Sequence, residues 1–163
     1  MAECFNYNFK PISTLNRALV YILTGLITFF LSTEFTLSAT SKPFVSNEIV
    51  ATLITAENKI NSNTHTISAG LSIKLAENWK TYWRSPGQVG LPPEIDWNDS
   101  TNILHTKFYW PTPERFQEFE IENYGYSEKV IFPINIVLKN PGKPLSLVAN
   151  ISILVCKDVC IPK

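Results

Sequence analysis

The chain has 163 residues, enough to bury one sizeable core, and its 14 basic and 14 acidic side chains cancel. That balance removes any electrostatic reason to expect nucleic acid or an anionic membrane as partner. Hydrophobic residues make up 45 %, which excludes a disordered composition, and eleven prolines against six glycines point to strands joined by stiff loops.

Residues 1–39 read as a secretory signal peptide, with Lys10 and Arg17 in a positive leading region and an apolar, helix-forming run from Ala18 to Leu31. Ala39 is the expected cleavage point, although Leu37 at the −3 position is less typical than Ala. Fourteen apolar residues fall short of the roughly 20 that span a bilayer, which favours a cleaved leader over an anchor. Cleavage removes Cys4. The domain at 40–163 then keeps Cys156 and Cys160, in a compartment that permits disulfides.

Ser41 to Ser46 is expected to be an entry linker, and Glu48 to Ala56 a first strand. Thr64 to Leu75 alternates most clearly. Ile67, Ala69, Leu71, Ile73 and Leu75 fall on one face, with Ser68, Gly70, Ser72 and Lys74 opposite. Glu77 to Gly87 carries Trp79, Tyr82 and Trp83, which could form a ligand platform or cover one end of a core, since aromatics bury large areas. Trp79 and Trp83 are both candidate stacking partners for Arg84.

Glu94 to Trp97 and Ile103 to Trp110 read as strands, the second stopped by Pro111 and Pro113. From Arg115 to Tyr126 acids mix with aromatics. Glu118, Glu120 and Glu122 share a face if extended, as a carboxylate pair for acid–base chemistry or as a solvated strand face. Lys129 to Leu138 and Leu145 to Val155 are strands around a turn at Asn140 to Pro144. Roughly seven short strands with Pro, Gly and Asn turns, and no amphipathic helix after the leader, predict an all-β antiparallel sandwich. His65 and His105 are scattered, and a zinc site lacks its usual local ligand pairs, so neither zinc nor a cofactor is expected.

The tail brings the two cysteines together in sequence, as LVCKDVCIP. On an extended strand, positions four apart lie about 13 Å from each other. Pairing therefore requires Lys157 to Val159 to turn, which Asp158 favours. Closing so short a loop stabilises a fold by only about 2 kcal/mol. Three readings stay open: reversible redox work, an inert staple, or soft-metal binding such as Cu(I) through two thiolates.

The run GLSIKLAENWKTYWRSPGQVGLPPEIDW, then FYWPTPERF, YGYSEKVIFP and LVCKDVCIP, resembles the amino-terminal domain of the DsbD family of thiol:disulfide interchange proteins, and within it the ScsB-type branch. The resemblance covers roughly residues 45–163. It implies an immunoglobulin-like sandwich in the bacterial periplasm. It also implies a cysteine pair, Cys156 and Cys160, that takes electrons from a thioredoxin-like donor and passes them to oxidised periplasmic proteins. The family shields its disulfide with an aromatic cap loop. Glu122 to Gly125 falls in that region with Asn123 at the cap position, so Phe119 or Tyr124 is the expected substitute.

Full-length family members continue into a membrane electron conductor and a thioredoxin-like domain, so the chain reads as a truncated product, as a shortened relative working with a separate membrane electron conductor and other partners, or as a remnant without activity. The family domain also adds strand beyond its cysteines. Here three residues follow Cys160, so a shortened edge is expected. The rival readings are an exported binding module, using copper or the Trp79–Trp83 patch, and a remnant with a structural disulfide.

Overall fold

Apolar side chains at every second position, buried along β4 and β10, build the first layer. The structure, a computed structural model, describes Tyr21, residues 38–118 and residues 120–163. The expected signal helix lies outside the described residues apart from Tyr21 and the stretch from Ser38. Among the described residues no helix is long and apolar enough to cross a membrane.

The strands run in chain order as β1 (Ala39–Thr40), β2 (Phe44–Val45), β3 (Ile49–Thr55), β4 (Thr66–Leu75), β5 (Lys80–Gly87), β6 (Glu94–Asp96) and β7 (Ile103–Phe108). They continue as β8 (Glu114–Glu118), β9 (Ile121–Ser127), β10 (Lys129–Leu138), β11 (Asn150–Ser152), β12 (Leu154–Cys156) and β13 (Cys160–Pro162). One sheet has β4 and β10 at its centre, β7 beyond β10, and β3 beyond β4, with β1 and β2 sharing the outer edge of β3. The second sheet runs β13–β12–β5–β9–β8, and β6 pairs with β11 in a small third sheet. All the pairings are antiparallel.

The inward sets of β4 (Ile67, Leu71, Ile73, Leu75) and β10 (Val130, Phe132, Ile134, Ile136, Leu138) are buried. They join Tyr126 and Val155 of the second sheet, and Ile153 just before β12, in one core, so the two sheets form the expected antiparallel sandwich.

Three expectations change. The presumed entry linker is zipped onto β3: β1 and β2 pair there, and the Ser41 N–H donates to the Leu53 carbonyl at 2.8 Å. Leu145 to Val155 is not one strand. It bridges at Ser146, pairs with β6 through β11, then crosses at Ile153 into the second sheet as β12. Glu77 to Gly87, read only as an aromatic stretch, supplies the central strand β5 of that second sheet.

An ion pair links the residue before β3 to the residue after β13. Lys163 Nζ lies 2.6 Å from Glu48 Oε2, with the side chains only 20 % and 12 % exposed. The hydrogen bond from Lys163, then that from Ser46, holds the Glu48 carboxyl below its ordinary value. A carboxyl depressed in the folded state adds stability above its unfolded value and loses it as pH falls through the folded one. Glu48→Gln is therefore expected to lower the urea midpoint at pH 7, with the difference from wild type closing in acid below the ordinary carboxylate range. A gap that persists unchanged into acid would separate the loss from the carboxylate charge.

Candidate functional site

The site sits on the outer face of the second sheet, at its β13 edge. Residues 157–159 turn the chain back, with the Lys157 N–H donating to the Val159 carbonyl at 3.1 Å, and Cys156 faces Cys160 across the β12–β13 hairpin. Their Cα atoms are 4.1 Å apart and the sulfurs are bonded. Facing residues of an antiparallel ladder come this near where they do not share backbone hydrogen bonds, so the hairpin itself brings the thiols together.

Two strands hold the pair in place. Ile153 and Lys163 exchange both backbone hydrogen bonds, at 3.0 and 2.9 Å, which anchors the hairpin base. Thr81, fully buried, donates its hydroxyl to the Leu154 carbonyl at 3.0 Å and locks β5 to β12. On β5 the side chains alternate: Thr81 and Trp83 face the core, while Lys80 and Tyr82 share the cysteine face. Lys80 pairs with Cys156 across the strands, with its Nζ 4.8 Å from the Phe116 ring.

The two sulfurs have unlike surroundings. Cys160 is exposed, whereas Cys156 is 7 % exposed and accepts a 3.1 Å hydrogen bond from the Tyr82 hydroxyl. Tyr82 was not among the expected site residues. Its signal lay in the aromatic stretch before Arg84, where alternation along an extended chain would have separated Tyr82 from Trp83. The groove beside the disulfide is closed by Asn123, Ile121 and Val89, with Lys157 and Asp158 at its rim. A loop after β5 is fastened over this side: the Val89 N–H donates to Asn123 Oδ1, and the Gln88 N–H to the Glu122 carbonyl.

The cap candidates divide. Phe119 lies outside the described residues. Tyr124 lies on the opposite face of β9 from Asn123, and its hydroxyl donates to the Glu122 carboxylate, which also pairs with Arg115 at 2.6 Å. That bond is the main cause of a lowered Glu122 carboxyl and a raised Tyr124 phenol. Glu120 turns between β8 and β9 at φ 62°, with the backbone of Glu118 paired to Ile121, so Glu120 does not continue the face of Glu122. Trp79 and Trp83 pack half-buried against the core, with the Arg84 guanidinium 4.9 Å from the Trp83 ring. His65 and His105 are both exposed, and among the described residues no three His, Cys, Asp or Glu side chains gather as a metal set.

The crystal structure of the N-terminal periplasmic domain of ScsB from Proteus mirabilis superposes with a TM-score of 0.63 at 28 % identity, over 78 % of this chain and 49 % of that one. The chain thus spans about half the length of that relative. A comparison with curated proteins finds no match. The family model described as thiol:disulfide interchange protein DsbD, N-terminal, matches residues 50–163. A sandwich that carries a bonded cysteine pair on the hairpin at its sheet edge belongs, with that match over most of its length, to the DsbD N-terminal domain family.

Proposed function

We propose that residues 40–163 are a periplasmic thiol–disulfide exchange domain, exported by the leader at 1–39, with Cys156 and Cys160 as its redox pair. The observation that carries the reading is the bonded pair with one exposed partner, Cys160, on a terminal hairpin of the sheet. Family membership and the likeness to a periplasmic domain of ScsB support the chemistry and the compartment. An incoming thiolate meets Cys160 and forms a mixed disulfide, and Cys156 leaves as thiolate. The partner's second thiol then completes reduction of the pair. In the other half-reaction Cys160 attacks an oxidised protein and Cys156 resolves the adduct. Thioredoxin-like proteins are the natural donors.

The rim suits a protein rather than a small thiol. Val159 at the hairpin tip is 63 % exposed, and Val89 and Leu91 are 47 % and 64 % exposed on the neighbouring loop. Apolar groups this open around a reactive bond mark a contact surface. Stopped-flow mixing of the oxidised domain with a reduced thioredoxin-like protein tests the function, and failure of the pair to become reduced would reject it. Val159→Asp is expected to slow that protein exchange about ten-fold, equivalent to about 1.4 kcal/mol, while leaving reduction by dithiothreitol unchanged. Equal slowing of both reactions would move Val159 from docking to the integrity of the hairpin.

A further inference from the structure

Tyr82 is held against the disulfide more firmly than a covering ring requires. It is 6 % exposed, and its hydroxyl lies 3.1 Å from Cys156 Sγ and 3.9 Å from Cys160 Sγ. The ring is pressed by Gly90, whose backbone has φ +109°. A Cβ at that position would fall 2.4 Å from ring atoms Cδ1 and Cε1, so only glycine lets the loop lie flat on the phenol. Burial raises the Tyr82 phenol above its ordinary value, which keeps it a protonated donor through the neutral range.

Resting on the exchange reading above, we propose that Tyr82 is a catalytic residue of that exchange: its hydroxyl stabilises Cys156 as the leaving thiolate and thereby directs incoming thiols to Cys160. The thiolate of a dithiol protein attacks Cys160 Sγ, and a new S–S bond forms there as the Cys156–Cys160 bond breaks. The electron pair of the broken bond passes to Cys156 Sγ. A sulfur that accepted a weak hydrogen bond in the disulfide becomes an anion beside an O–H already aimed at it. Hydrogen bonds to charged acceptors are the stronger ones, so most of the interaction appears as the charge develops. Attack in the opposite sense, on Cys156, would require approach through the ring and would leave the charge on Cys160, which lies farther from the hydroxyl. Lys80, Lys157 and Asp158 also border the sulfurs, but Tyr82 alone among these is buried.

Tyr82→Phe removes the hydroxyl and keeps the ring. In a Cys160→Ser background only Cys156 of the tail pair titrates, and ultraviolet absorbance of its thiolate gives the midpoint. Adding Tyr82→Phe is expected to raise that midpoint by about one pH unit. In the two-cysteine domain it is expected to slow reduction by dithiothreitol about ten-fold. Tyr109→Phe, on an exposed ring just after β7, is expected to change neither. If Tyr82→Phe lowers the melting temperature enough to blur the comparison, Gly90→Ala, which displaces the ring with its hydroxyl retained, must shift both readouts in the same direction. An unshifted midpoint with an unchanged rate overturns the role of Tyr82 and leaves the exchange reading standing. A wild-type disulfide that no thioredoxin-like protein reduces removes the exchange reading itself, and this inference with it.

Discussion

Cys156→Ser is expected to accumulate covalent adducts with oxidised proteins, and Cys160→Ser to accumulate at least about ten-fold fewer. The two residues are chemically identical, so the difference has to come from where the fold puts them. Cys160 begins the outermost strand and is exposed, beside Val159 at the hairpin tip. Cys156 lies one strand further in, 7 % exposed under the Tyr82 hydroxyl. With Cys156 replaced, Cys160 still attacks a disulfide but no second thiol resolves the adduct, so the mixed disulfide persists. With Cys160 replaced, the surviving thiol is the buried one, and a protein disulfide must approach past a packed ring. Non-reducing gels followed by mass spectrometry of the adduct read the result directly. Equal trapping by both variants would refute the assignment of roles, and trapping by neither would remove the exchange function.

The part of this site legible in the sequence was the part encoded locally. Two cysteines four positions apart need a turn to meet, and residues 157–159 supply it. Strand β4 was legible because one face is solvated and apolar and polar side chains alternate along it, and β3 and β10 because they are runs of β-branched and other apolar residues. Strand β5 hid because its outer face is covered as well. Tyr82 is buried outward beneath Gly90 while Thr81 and Trp83 pack inward, so no polar alternation marked it.

The break in the last apolar run hid for a different reason. Ile151 and Ile153 keep a period of two through the crossing at Ile153, and only the partner strand changes, from β6 to β5. The hydrogen bond from Tyr82 to Cys156 spans 74 positions, a long-range contact that no local pattern encodes. The close approach of Gly125 to the Thr81 carbonyl, where a Cβ would come within 2.0 Å, is of the same kind.

Phe132→Ala is expected to cost about 3–5 kcal/mol, a large share of the about 5–15 kcal/mol that holds such a domain folded. Phe132 is fully buried on β10, with the rings of Phe108, Trp110 and Tyr126 at 5.1, 5.5 and 5.1 Å. Tyr126 belongs to the second sheet, so this cluster is where the two layers meet. Its hydroxyl donates to the Pro111 carbonyl at 2.8 Å, and burial pushes its phenol up to about 12. Truncation would leave three rings facing a cavity, with Tyr126 adjoining Gly125, which pairs with Tyr82. Ile131, the next residue of the strand, is 42 % exposed, and Ile131→Ala is expected to cost about 0.5 kcal/mol. Removing both cysteines should cost no more than about 2 kcal/mol, because the bridge closes a loop within one hairpin and joins no distant strands. Urea unfolding of the three variants orders these contributions. A loss from the cysteine pair as large as that from Phe132 would make the bridge a structural staple, and the exchange chemistry would then have to compete with the stability of the fold.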